Sequence, residues 1–193
     1  METKENRPIE PVFQVLSKEN EKINVYKIHP KDGWGLCDFI AANEHRLDLY
    51  FPKTKEANLT PDLSKAFAET KSKEYENREE FLYTIKPEGS KKIIGLVYIK
   101  ELDWEIQQGE FAYCIDYNYE GKGITSKVVD GLSEYAFKDL GLKTLQIIAH
   151  KTNFSSVNVA KRCKFTWIKT LAKEYTPPGR DPLDMELYER YKN

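Results

Sequence analysis

The chain has 193 residues, 40% of them hydrophobic and 12% aromatic, which suits one globular domain with a sizeable core. Its net charge of −1 gives no overall field for nucleic acid or an anionic membrane, no apolar run approaches the roughly 18 residues of a bilayer span, and the first residues are too polar for a signal peptide. Cys37, Cys114 and Cys163 form no Cys-x-x-Cys pair, which argues against a disulfide framework or a zinc site and for a reducing cytoplasm.

No repeat, low-complexity tract or linker divides the sequence. Residues 1–22 read as a partly mobile N-terminal extension, and 23–193 as a single domain. Residues 23–28 alternate as a strand that His29-Pro30 ends. Leu36, Phe39 and Ile40 recur at helical spacing over 33–45, and Tyr50-Phe51-Pro52 breaks that pattern. Thr60-Pro61 supplies a hydroxyl cap and a first-turn proline for a helix that runs toward Asn77. Residues 81–85 and 93–99 read as a hairpin, the second strand so apolar that it belongs at the centre of a sheet. Residues 111–115 form the next strand. Beyond a glycine turn, Ile124, Val128, Leu132, Tyr135 and Ala136 share one helix face, and Gly141 stands where a C-terminal cap belongs. A buried strand over 145–150, a short helix over 153–163 and strands over 165–172 and 185–191 complete the chain. This order predicts an α/β (α+β) fold, with a mixed central sheet and helices on its faces.

The most informative stretch runs from Glu110 to Ser126. An apolar strand enters a loop containing Gly121 and Gly123, and a helix starts at Ile124. The first N–H groups of a helix lack internal partners and can be donated to phosphate oxygens. Glycines let the backbone approach those oxygens closely. Two familiar phosphate loops fail. A Walker A loop needs glycine at 116 and Ser or Thr at 123, where the chain has Asp116 and Gly123. A dinucleotide fingerprint needs a third glycine at 126, which is Ser126.

The ordered set Gly121-x-Gly123, a helix, a strand, then Asn153-Phe154-Ser155-Ser156 opening another helix before Phe165 resembles the GNAT superfamily of N-acetyltransferases. More narrowly it is similar to the RimJ/RimL type, over most of the chain from Ile23 to Tyr191. The resemblance implies a mostly antiparallel sheet of about seven strands, splayed where acetyl-CoA binds. It also implies direct acetyl transfer from acetyl-CoA to a primary amine, either a protein N-terminus or a small amine. The groups it assigns to the pyrophosphate are Glu120, Gly121, Lys122, Gly123, Ile124, Thr125 and Ser126. Amides near Cys114, Ile115 and Asp116 would pair with the pantetheine arm, and Asn153 would fix its end. Three positions depart from the family pattern: Asn118 stands for Arg or Gln, Lys164 for glycine, and Ala160 for the tyrosine that many relatives use as acid.

The chemistry needs an unprotonated amine, a polarised carbonyl and a proton for the leaving thiolate. Glu110 is the candidate general base, with an ordinary strand-start glutamate as the alternative. Ser156 is the candidate proton donor, with a helix cap as the alternative. Asp116 suits a loop cap better than catalysis, His150 a structural role, and Cys114 a small buried hydrophobe rather than a nucleophile. Trp34, Tyr50, Phe51 and Tyr175 are candidates for the acceptor pocket, although each also suits the core. The expected partners are acetyl-CoA and an amine acceptor, without nucleic acid or membrane, and the resemblance allows a homodimer. The alternative from another class is a non-catalytic GNAT-fold module that binds or senses acyl-CoA. A nucleotide-binding enzyme is disfavoured by both failed motifs.

Overall fold

Eight stretches extend as strands in the computed structural model, which describes residues 9–192. They are β1 (Phe13–Leu16), β2 (Lys22–Lys27), β3 (Phe81–Pro87), β4 (Gly95–Asp103), β5 (Gln108–Ile115), β6 (Thr144–Ala149), β7 (Thr166–Tyr175) and β8 (Leu183–Tyr191). The α-helices are α1 (Gly33–Leu47), α2 (Pro52–Glu56), α3 (Pro61–Glu76), α4 (Ile124–Tyr135) and α5 (Phe154–Arg162). One open sheet takes the order β1-β2-β3-β4-β5-β6-β8-β7. Every neighbouring pair is antiparallel except β5 and β6, which are parallel. A parallel pair needs a crossover connection, and α4 supplies it.

The sheet therefore has eight strands where about seven are predicted. The added strand is β1, which pairs with β2 from Phe13↔Val25 to Leu16↔Lys22. It lies inside the segment read as an extension; residues 1–8 of that segment lie outside the described residues. The short helix α2 is also unforeseen. It begins at the proline that the sequence pattern treats as a break, because a first-turn proline has no hydrogen bond to lose.

The apolar faces find each other as their spacing requires. Leu36, Phe39 and Ile40 of α1 are buried, as are Ile124, Val128 and Leu132 of α4. Each buried side chain of this kind contributes about 1.5–3 kcal/mol. Intrinsic helix propensities differ by at most about 0.7 kcal/mol per ordinary residue, so packing decides these helices. Thr60 caps α3 by accepting from the Leu63 amide at 3.3 Å. The α4 helix ends in a π-helical turn, Ala136–Leu140, which Gly141 stops at φ 81°.

The feature that positions the site is a gap in the sheet. β5 and β6 pair only from Gln108↔Thr144 to Phe111↔Ile147. Beyond that point β5 keeps its ladder with β4 as far as Ile115, and β6 keeps its ladder with β8 as far as Ala149. The two strands diverge, and the facing backbone edges of both are left open between them.

Candidate active site

At the end of β5 the chain is locked before it turns. Asp116 Oδ1 accepts from the Asn118 amide at 2.9 Å and from its side chain at 3.0 Å, and Lys92 Nζ lies 3.1 Å from Oδ2. Burial works against the Asp116 carboxylate, but these donors hold its pKa below the ordinary value. Asp116 is a loop cap. Gly121 and Gly123 then adopt φ of 72° and 74°, a left-handed conformation that a side chain would strain by about 1–2 kcal/mol. Gly123 is the N-cap of α4 and provides no capping side chain. The first-turn N–H groups of α4, on Ile124, Thr125 and Ser126, therefore remain available to an anion. Buried Ile124 anchors this turn to the core.

Charged side chains frame the turn. Lys122 pairs with Glu19 at 2.9 Å, and Glu120 pairs with Arg46 of α1. Lys18 donates its backbone N–H to Lys122 O at 2.9 Å and its Nζ to Gly121 O at 3.1 Å. The segment after β1 thus braces the glycine loop, and no motif in the sequence pointed to Lys18.

The gap between the strands opens into a cavity of about 950 Å³. The Asp116 amide donates to Ile94 O at 2.7 Å, toward β4, whereas Arg46 Nη1 reaches Ile115 O at 3.1 Å from the open side. Backbone groups alternate in direction along a strand. The amides of Tyr113 and Ile115 therefore face the gap, while those of Cys114 and Asp116 are turned to β4. Of the three amides expected at the pantetheine arm, that of Ile115 faces the gap, where the Tyr113 amide joins it. The Cys114 side chain lines the cavity, but burial pushes its thiol up to about 12, so it is not a ready nucleophile.

Both candidate catalytic residues line this cavity. Glu110 pairs with Lys100 at 2.8 Å and is only 15% exposed. Burial raises its pKa; Lys100 opposes that rise, and the carboxylates of Glu101 and Glu174 add to it. Glu101 and Glu174 line the same cavity, and the sequence did not single them out. Glu101 sits at φ 48° in the β4 bulge and Lys173, beside Glu174, at φ 55° in the β7 bulge. Bulges re-aim side chains, and no sequence signal marked these two. Ser156 Oγ lies 2.9 Å from the Tyr113 hydroxyl. Its backbone N–H donates to Asn153 Oδ1 at 3.2 Å, so Asn153 caps α5.

The remaining candidates separate clearly. Tyr50, Phe51 and Tyr175 line the cavity; Trp34 does not, and is 71% exposed. Tyr175 is fixed there by its hydroxyl, which donates to Leu49 O at 2.7 Å. His150 Nδ1 lies 2.7 Å from Thr152 Oγ1 and organises the turn before α5. Lys164 holds φ 62°, the conformation that suits the glycine it replaces. Ala160 is fully buried. Among the described residues no group of His, Cys, Asp or Glu side chains is placed to hold a metal, and no helix is long and apolar enough to cross a membrane.

A sheet splayed beside an uncapped helix start, with a buried carboxylate next to the gap, is the architecture of an acyltransferase. The model of the acetyltransferase (GNAT) domain matches residues 23–166, and the chain belongs to that family. It is an acetyltransferase. The protein named "Putative ribosomal N-acetyltransferase YdaF" of Bacillus subtilis (strain 168) is 30% identical over 156 residues, which cover 77% of this chain and 80% of that one. The crystal structure of the ribosomal-protein-S5-alanine acetyltransferase of Vibrio fischeri superposes with a TM-score of 0.83 at 23% identity, covering 93% of this chain and 98% of the other. The microcin C7 self-immunity acetyltransferase MccE, solved with acetyl-CoA and AMP, superposes with a TM-score of 0.78 at 23% identity, covering 91% and 94%.

Proposed function

We propose that the protein transfers acetyl from acetyl-CoA directly to a primary amine, and that this acceptor is a protein N-terminus, with that of a ribosomal protein the first to test. The observation that carries the reading is the continuity of one cavity. It runs along the open edge of β5, past Thr125 at the start of α4, to Glu110 and the two further carboxylates Glu101 and Glu174. The α4 start would hold the pyrophosphate, and the Tyr113 and Ile115 amides would hold the arm and polarise the acetyl carbonyl. Bound acetyl-CoA supplies an activated acyl group. Glu110 takes the proton of the attacking amine, directly or through one water. Three carboxylates against one lysine give the acceptor end a negative field that favours an incoming ammonium group. The ribosomal-protein acceptor is supported by the name of the Bacillus subtilis relative. The catalytic domain would include β1 together with residues 23–193, in the cytoplasm where acetyl-CoA and ribosomal proteins meet. The acyl-CoA sensor reading rested on Ala160, and the Ser156 hydroxyl on the cavity wall answers that motive.

The test is acetyl transfer followed by mass spectrometry, with peptides copying ribosomal-protein N-termini, polyamines, amino acids and aminoglycosides as acceptors. A mass gain of one acetyl on an N-terminal peptide is the expected result. Glu110→Gln should lower kcat by about 100-fold while leaving acetyl-CoA binding intact. Binding without transfer to any acceptor would favour the sensor, and no binding would remove the acetyl-CoA reading.

A further inference from the structure

Tyr113 carries a hydroxyl to which acetyl transfer assigns no task. Side chains alternate along a strand, so Tyr113 leaves β5 on the face opposite Glu110 and reaches α5. Its hydroxyl lies 2.9 Å from Ser156 Oγ and 3.3 Å from the Ser156 carbonyl oxygen. Both residues line the cavity. Burial pushes the phenol's pKa upward, with the Ser156 hydrogen bond opposing, so Tyr113 stays a neutral donor. Cys163 is the titratable group that bears on it, and burial pushes that thiol up to about 12 as well, so it too is uncharged.

From this geometry we propose that Tyr113 is a positioning residue for the leaving group, donating to Ser156 Oγ and turning the serine's own proton into the cavity toward the thioester sulfur. A serine hydroxyl has one proton and two lone pairs. With one lone pair receiving the tyrosine proton, the serine proton cannot lie along the same line and points elsewhere. The nearer of the two acceptors on Ser156 is Oγ. As the acyl carbon–sulfur bond breaks, its electron pair stays on sulfur, and Ser156 donates a hydrogen bond to that thiolate. The proton that finally neutralises the thiolate is the one lost by the acceptor nitrogen, passed on through Glu110 and water. Both hydroxyls end the cycle as they began it, and no phenolate forms.

The inference rests on the acetyl-transfer reading, and its test separates the two. The thiol of coenzyme A bound to the protein is titrated by its thiolate absorbance in the ultraviolet, in the wild type, Tyr113→Phe, Ser156→Ala and the double variant. A hydrogen bond to the thiolate holds its pKa down. Tyr113→Phe and Ser156→Ala should each raise it by about one pH unit, and the double variant by no more than either alone. In parallel kcat should fall about tenfold in each single variant, with KM for acetyl-CoA unchanged. Ser156→Ala tests the contact from the α5 side should Tyr113→Phe fold poorly. A thiol that titrates as in the wild type in either variant overturns the inference, and so do losses that multiply in the double variant. Failure of coenzyme A to bind the wild type would instead remove the acetyl-transfer reading, and this inference with it.

Discussion

Glu110 faces a contest between two effects of known sign. Burial favours its neutral form and raises its pKa, while Lys100 at 2.8 Å favours the charged form and lowers it; burial wins. A base works only when deprotonated, so the acid limb of kcat/KM should lie above the ordinary carboxylate range. The same sign governs stability. A carboxyl whose folded pKa is raised contributes stability below its unfolded pKa, and that contribution is lost as pH rises through the folded value. Lys100→Met keeps the stem and removes the cation, so the acid limb should move further up. A limb that stays in place, or moves down, in a pH profile of Lys100→Met would rule Glu110 out as the group titrated. At this scale the sequence was informative only where chemistry is local. Glu110, Ser156 and the glycines lie in short motifs at recognisable spacing. Tyr113 reads there as one more apolar strand residue, because its hydroxyl finds its partner 43 positions away. Glu101 and Glu174 depend on bulges, which leave no local signature.

Elements were legible in proportion to their length and amphipathicity. The twelve residues of α4 carry a full apolar face, and their boundaries follow from Gly123 and Ile124. β1 has four residues and no pattern strong enough to separate it from a polar terminus. Its identity is tertiary: the Phe13 ring lies against Gly131 of α4, so that a Cβ there would meet Phe13 Cε2 at 2.7 Å and Cζ at 2.8 Å. This contact makes a prediction whose sign depends on context. Gly131→Ala gains about 1 kcal/mol of helix propensity but overpacks the ring at a cost of about 1–3 kcal/mol. The single variant should be destabilised by about 1 kcal/mol in denaturant unfolding, a net of those two terms. In a Phe13→Ala background the clash is gone, and the same change should stabilise by about 1 kcal/mol. Stabilisation in both backgrounds would mean that β1 does not dock on α4 as described.

Across the whole molecule, a sheet opened for a ligand has to be held together elsewhere. β5 and β6 share only the register from Gln108↔Thr144 to Phe111↔Ile147, so the ladder between the two halves is short. Arg190 of β8 helps to close the joint from the far side. Its guanidinium donates to Asp130 at 2.7 Å and to Glu134, both on α4, and to the Cys163 carbonyl at 3.1 Å. The Arg190 side chain is 9% exposed, but its carboxylate partners are 50% and 69% exposed. Losing one partner of a fully buried pair costs about 3–5 kcal/mol. Here the carboxylates regain water on losing it, so Arg190→Met should cost nearer 2 kcal/mol, of which the stranded Cys163 carbonyl accounts for about half. For a chain of this size that is a fall in Tm of about 4–8 °C. Arg190 does not line the cavity, so its loss should leave the ligand's own contribution unchanged. Acetyl-CoA at about 100 times its Kd adds ~2.7 kcal/mol to a protein that binds it only when folded. Thermal unfolding with and without acetyl-CoA should therefore give the same ligand-induced rise in both proteins, on a lower baseline in the variant. An unchanged baseline would mean that the joint is held without Arg190, and a smaller rise would mean that this joint also sets the width of the gap.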